Sequence, residues 1–185
     1  VKKLVKNKQN QIINIDKLTY AYNKHALSNI NKKPNYSFFK ADINDQKKIK
    51  NIMFKFKPDI IFNLAAESHV DRSIVNSKKF IQTNINGTFT LLELSNQYFK
   101  TIANNNRSKF KFIQISTDEV FGSLKKGSKS FKESSIFLPN SPYAASKASA
   151  DHLVRSFYKT YNLPVITTHC SNNYGSFQNS EKLIP

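Results

Sequence analysis

The sequence predicts an α/β fold built on a doubly wound parallel sheet. Three observations predict it. Short apolar runs of strand length alternate with stretches of helical apolar spacing, the runs end in polar residues, and proline or acidic residues mark the helix starts.

The elements follow in order. Val1–Lys6 reads as the tail of a helix. Gln11–Ile15 is a short apolar strand ending at Asp16, and Tyr36–Ala41 is a second ending at Asp42. Ile49, Ile52, Met53 and Phe56 recur at helical spacing, predicting a helix over Asp45–Phe56 with Asp45 where it suits the dipole. Pro58 stops that helix, and Ile60–Leu64 is a strand of the buried type. A long helix is expected over Phe80–Lys100, with Phe80, Ile81, Ile85, Phe89, Leu92 and Tyr98 facing inward. Phe110–Ser116 is the next strand, and residues 122–141, carrying Gly, Ser, Lys and Pro, form a loop. Pro142 suits the first turn of a helix over Pro142–Tyr161, because its missing N–H costs little there. Val165–Cys170 is a further strand. There is no internal repeat, low-complexity tail or linker.

Composition narrows the class. A chain of 185 residues with 39% hydrophobic residues can build one domain with a core. No apolar run is long enough to span a bilayer, and Val1–Lys6 lacks the apolar stretch of a signal peptide, so no membrane partner is expected. The single cysteine, Cys170, excludes an internal disulfide and suits a reducing cytoplasm. The net charge of +17 raises a nucleic-acid reading. The lysines are scattered rather than massed on one element, so they are read as solvated faces and no nucleic acid is expected. A basic surface still favours a polyanionic ligand such as a nucleotide sugar.

Two runs carry chemistry. Thr117-Asp118-Glu119 sets a hydroxyl beside two carboxyl groups. Tyr143 and Lys147 stand four apart on one helical face, where a cation beside a phenol is expected to lower the phenol's pKa and make it a base. In a parallel sheet, ligands bind beyond the carboxyl ends of the strands, and polar residues sit there. Asp16 suits a ribose diol and repels a 2′-phosphate, favouring NAD over NADP. Asp42-Ile43 borders an adenine. Leu64-Ala65-Ala66-Glu67-Ser68 offers small side chains that let a cofactor lie close to the backbone. Ser171-Asn172-Asn173 closes the last strand. His25, His152 and His169 show no metal-ligand spacing with Cys170, so no metal is expected. His69 is read as satisfying a backbone carbonyl, and Cys170 as a small buried apolar residue.

A Rossmann-like sheet usually opens with a strand and a Gly-rich turn that seats a pyrophosphate. Of the four glycines, Gly87, Gly122, Gly127 and Gly175, none precedes Asp16. The expectation is therefore an incomplete sheet, with the first strand and Gly-rich loop missing and the sequence truncated at both ends.

These residues resemble the extended short-chain dehydrogenase/reductases, and among them the nucleotide-sugar 4,6-dehydratases. The resemblance runs from Val1 to Pro185. It rests on Asp16–Ala21, Leu64–Ser73, Ile115–Val120, Ser141–Ala148 and Cys170–Gly175, with Glu181–Pro185 resembling the start of a substrate-contacting segment. YxxxK alone is weakly specific, whereas Thr-Asp-Glu-Val at a strand end is far more selective. Phe121 departs from the usual Tyr, and Ser176 and Ser180 from frequent prolines. The resemblance implies residues 1–185 as a partial NAD-binding domain, with the substrate domain absent beyond about 176–185 and the isolated chain inactive. It implies NAD held by Asp16, Lys17, Thr19, Asp42, Ile43, Leu64, Ala65, Ala66, Ser68, Thr83, Tyr143, Lys147 and Asn173. The substrate it implies is dTDP-glucose, contacted by Ser68, Thr117, Asn172, Lys182, Leu183, Ile184 and Pro185. Catalysis falls to Thr117, Asp118, Glu119, Tyr143 and Lys147, in a homodimer. A nucleotide-sugar epimerase or decarboxylase of the same family, and a non-catalytic basic binding module, are the alternatives. The Asp118-Glu119 pair argues against epimerase or decarboxylase chemistry, which needs no acid at C6.

Overall fold

Every strand pairing among the described residues, which in this computed structural model are 1–23 and 25–179, is parallel, in one two-stranded and one three-stranded sheet. The chain forms two units, one of Val1–Asp42 with the segment from Asn172, the other of Ile43–Ser171.

The first unit opens with a short helix α1 (Lys2–Val5), followed by strands β1 (Ile12–Asp16) and β2 (Tyr36–Lys40). These pair in parallel from Ile12 opposite Tyr36 to Asp16 opposite Lys40. Its core is small: Val5, Ile30 and Tyr36 are buried, with Ile12 and Leu27 packed on them. The Asn35 amide donates to the carbonyls of Val5 (3.2 Å) and Asn10 (2.9 Å), tying the end of α1 to the start of β1.

The second unit holds the larger core. Helix α2 spans Gln46–Phe56; the Asp45 carboxylate accepts from the Lys48 N–H at 3.0 Å, and Lys57 closes the helix at φ 47°. Then come β3 (Ile60–Asn63), α3 (Val70–Val75), α4 (Ser77–Phe80), a π-helical segment (Ile81–Gly87), α5 (Thr88–Thr101) and α6 (Asn104–Arg107). Strand β4 (Lys111–Thr117), a 3₁₀ turn (Asp118–Phe121), α7 (Pro142–Tyr161) and β5 (Val165–Cys170) complete it. The sheet order is β3-β4-β5, so β4 is central. Alternate β4 residues Phe112, Gln114 and Ser116 are buried, as a strand's period of two requires, and α7 packs against both β4 and β5.

The strand–helix alternation is as the sequence predicts, and α7 and β5 have the predicted bounds. The long helix differs. Ile81 and Phe89, expected inside, are 49% and 41% exposed, while Thr83, Asn84, Gly87 and Thr88 are buried. The cause is the π-helical stretch: its wider turn rotates the helix face between Phe80 and Thr88, so one helical period cannot describe both ends. Helix α3 was not expected either. Its apolar residues Ile74 and Val75 point outward, at 68% and 89% exposed, and leave no inward stripe to read.

Candidate active site

The central strand β4 delivers the first part of the site at its carboxyl end. Thr117 is the last strand residue and caps the turn that follows: its hydroxyl oxygen accepts from the Glu119 N–H at 3.3 Å, and its O–H donates to Asp118 Oδ1 at 3.4 Å. Two backbone bonds fix this turn. The Gly122 N–H donates to the Glu119 carbonyl at 3.1 Å, and the Leu138 N–H to the Val120 carbonyl at 2.9 Å. Gly122 lies at φ 88°, and a Cβ there would come within 2.5 Å of the Leu138 carbonyl oxygen. Only glycine lets the loop return this close to the acidic turn. Phe121 anchors the turn from below, stacked on Phe131 with ring centroids 5.2 Å apart.

Helix α7 delivers the second part. Ser141 accepts from the Ala144 N–H at 3.0 Å, and Pro142 occupies the first turn, so the helix starts immediately before Tyr143. Tyr143, Lys147 and Asp151 follow at intervals of four, and all three are buried. The Tyr143 phenol shares a hydrogen bond with the Thr117 side chain. Its backbone N–H donates to Ser73 Oγ at 3.1 Å. Lys147 Nζ donates to the Ile115 carbonyl at 2.6 Å, reaching β4 two residues before Thr117. The Asn84 amide links a third segment: its Nδ2 donates to Ser146 Oγ at 2.8 Å and to the Glu67 carbonyl at 3.0 Å, and its Oδ1 accepts from the Glu67 N–H at 2.9 Å.

The electrostatics correct one expectation. The Tyr143 phenol is pushed up to about 12, not down: burial dominates, the Glu119 carboxylate adds to it, the Thr117 hydrogen bond opposes it, and Asp118 and Asp151 add further. Lys147 is lowered by burial, with the Asp151 carboxylate pulling the other way. Burial and the nearby carboxylates together outweigh the Thr117 hydrogen bond, so the phenol keeps its proton.

The structure therefore brings Thr117, Asp118, Glu119, Tyr143 and Lys147 together within the second unit. Ile43 and Thr83 of that unit are buried, Ala65 and Ala66 half-buried, and Leu64 and Ser68 exposed. Asp16, Lys17, Thr19, Asp42, Asn172 and Asn173 belong to the first unit. Asp16 is exposed at the end of β1, where its Oδ1 accepts from the Leu18 N–H at 2.7 Å. Lys17 Nζ lies 3.5 Å from Asp42 Oδ2, and Asn172 and Asn173 are exposed. Lys182, Leu183, Ile184 and Pro185 lie outside the described residues. Within the second unit, the methyl-sized side chains of Ala65 and Ala66 after β3 fit a cofactor lying close to the backbone.

Two smaller readings change. His69 Nδ1 is buried without a hydrogen-bond partner, so the expected carbonyl is not there for it. Cys170 is half-buried, its thiol 3.9 Å from Thr168 Oγ1, rather than a core residue. Among the described residues no three His, Cys, Asp or Glu side chains converge as a metal site, and no helix is long and apolar enough to cross a membrane. Sequence reading missed Ser73, Asn84, Ser116, Asp151 and His169. Only Asp151 carried a legible signal, the repeat of four from Tyr143 and Lys147; the others reach the site through tertiary contacts.

The sequence profile of a family described as GDP-mannose 4,6 dehydratase matches residues 1–185. A dTDP-glucose 4,6-dehydratase of Haemophilus influenzae is 50% identical over the whole chain, which covers 55% of that relative. The crystal structure of the dTDP-glucose 4,6-dehydratase from Streptomyces venezuelae, with NAD and TYD bound, superposes with a TM-score of 0.84 at 41% identity, over 95% of this chain and 51% of that one. The dTDP-glucose 4,6-dehydratase of Bacillus anthracis in complex with NAD gives a TM-score of 0.83 at 42% identity, over 98% of this chain and 53% of that one. The chain spans about half the length of the curated relatives it matches.

Proposed function

Since the chain belongs to the GDP-mannose 4,6 dehydratase family, we propose that the protein is a nucleotide-sugar 4,6-dehydratase. It converts dTDP-glucose to dTDP-4-keto-6-deoxyglucose and water. The observation that carries this reading is the Thr117 hydroxyl bonded to the Tyr143 phenol, with the Glu119 and Asp118 carboxylates close enough to shift that phenol's ionisation.

When bound, NAD would supply a hydride acceptor for C4 and a hydride donor for C6, and its positive charge would favour the phenolate. The remaining chemistry belongs to the chain. Tyr143 takes the proton of the sugar 4-hydroxyl, and Thr117 holds the 4-oxygen. The C4 ketone acidifies the C5–H bond, and Glu119 removes that proton. Asp118 protonates the departing 6-hydroxyl, so water leaves and a C5–C6 double bond forms. Glu119 returns its proton to C5 as C6 is reduced. The proton that Tyr143 took makes good the one Asp118 gave, and the net change is loss of one water. In this scheme Asp118 is the acid and Glu119 the base. Asp16, Lys17, Thr19, Asp42, Ile43, Leu64, Ala65, Ala66, Ser68, Thr83, Tyr143, Lys147 and Asn173 would hold the NAD. Ser68, Thr117, Asn172 and residues 182–185 would hold the sugar nucleotide.

The protein is further read as a cytoplasmic homodimer. Exposed apolar side chains on α5 (Phe89) and α7 (Tyr158, Tyr161) support the dimer, and the single cysteine suits the compartment.

Asp118→Asn in the full-length protein tests the assignment. Single-turnover mixing with dTDP-glucose should still show NADH forming, while water loss slows by about 100-fold or more. Loss of NADH formation together with water loss would contradict the role given to Asp118.

A further inference from the structure

Beneath the residues that face the sugar lies a second, buried layer of polar groups. Asp151 is 4% exposed and stands one helical turn beyond Lys147. Its Oδ2 accepts from Ser116 Oγ at 2.6 Å and lies 3.2 Å from His169 Nε2. Its Oδ1 is buried without a hydrogen-bond partner. Lys147 Nζ is held by the Ile115 carbonyl, so Lys147 and Asp151 grip consecutive residues of β4. A buried carboxylate with an unsatisfied oxygen is costly unless a nearby cation compensates it.

We propose that Asp151 is a positioning residue for catalysis: it is the buried countercharge that keeps Lys147 cationic and, with Ser116 and His169, locks that lysine's helix turn onto β4. This deepens the dehydratase reading and rests on it only for the rate consequence. A Lys147 that lost its proton would no longer favour the phenolate that forms on Tyr143. Burial pulls the Lys147 ammonium toward neutrality, and the Asp151 charge opposes it. His169 comes from β5, Asp118 and Glu119 from the 3₁₀ turn, and Tyr143 from α7 itself. Helices α3 and α4 carry Asp71, Arg72, Lys78 and Lys79, all exposed, and α5 carries Glu93, half-buried. Of these, the Lys147 ammonium responds to Asp151 and the Tyr143 phenol to Glu119, Asp118 and Asp151.

The test is Asp151→Asn in the full-length protein, which keeps the shape and removes the charge. Lysine-labelled NMR of the NAD-free protein should show Lys147 titrating at lower pH than in the unsubstituted protein. Removing the anion also eases phenol ionisation, so both limbs of the kcat–pH profile should move to lower pH. The loss of kcat should therefore appear on the alkaline side of the profile, with KM little changed. Asp151→Glu, which restores the charge, should return the profile toward its original position. A lower rate with unmoved limbs, or an unmoved Lys147 titration, overturns the proposal and leaves Asp151 a packing residue. Should Asp151→Asn not fold, Asp151→Ser, which also removes the charge, gives the same measurement: an unmoved Lys147 titration overturns the pairing. The NMR arms need no turnover. A protein whose Lys147 moves but which never dehydrates dTDP-glucose sinks the function and keeps the pair.

Discussion

The two units of the molecule are organised differently. In the second, Phe110, Phe112, Leu92, Leu94, Val120 and Val154 are fully buried, and the reactive groups stand on the central strand and on a helix packed against it. In the first, β1 runs half-exposed from Ile12 to Ile15, its core rests on three buried residues, and its polar groups are exposed tips such as Asp16. Chemistry that needs tightly held geometry is built into a dense core. In the function proposed above, recognition of the cofactor rim falls to side chains that a ligand itself can order. The buried Tyr143–Lys147–Asp151 face belongs to the first kind, and the Asp16 carboxylate to the second.

The largest expected effect breaks or confirms that contrast. Phe112→Ala, at a fully buried position of β4, should cost about 3–5 kcal/mol of stability, whereas Ile12→Ala on the half-buried β1 should fall nearer the ~2 kcal/mol low end for such truncations. Chemical denaturation of both variants measures the difference; equal costs would erase the distinction between the units.

A smaller effect sharpens it through pH. The Tyr143 phenol ionises near 12 when folded and near 10 when unfolded. Between those values the unfolded chain has lost a proton that the folded one keeps, so stability falls as pH rises through that window. Lys147 acts in the opposite sense and at lower pH: its folded value lies under 10.5, so stability rises toward 10.5 and then stays level. Tyr143→Phe should remove about 2 kcal/mol of the alkaline loss while leaving the rise below it. Denaturation midpoints of the two proteins measured from pH 9 to 12 check this (about the span of these two ionisations). Parallel curves would mean the phenol is not desolvated.

Much of this was legible in the residues. Pro142 marks the first turn of α7 in the sequence, and the helix begins there. Thr117-Asp118-Glu119 was placed at a strand end by its apolar approach, and the carboxyl end of the central strand is where it lies. What escaped has physical causes. A π-helical turn has no signature in apolar spacing, so spacing alone points Ile81 and Phe89 inward. Proximity of Lys147 to Tyr143 was visible, but the burial that reverses the phenol's shift is a property of the packed core. Asn84 and Ser73 act across long sequence separations, on Ser146 and on the Tyr143 backbone, which no local pattern discloses.

The most direct test of 4,6-dehydration follows one hydrogen atom. The full-length protein, supplied with NAD and dTDP-glucose deuterated at C4, should release a 4-keto-6-deoxy product carrying that deuterium at C6, with no net NADH formed. Deuterium remaining at C4, or lost to solvent with C6 unreduced, would contradict the dehydratase chemistry assigned to Thr117, Asp118, Glu119, Tyr143 and Lys147.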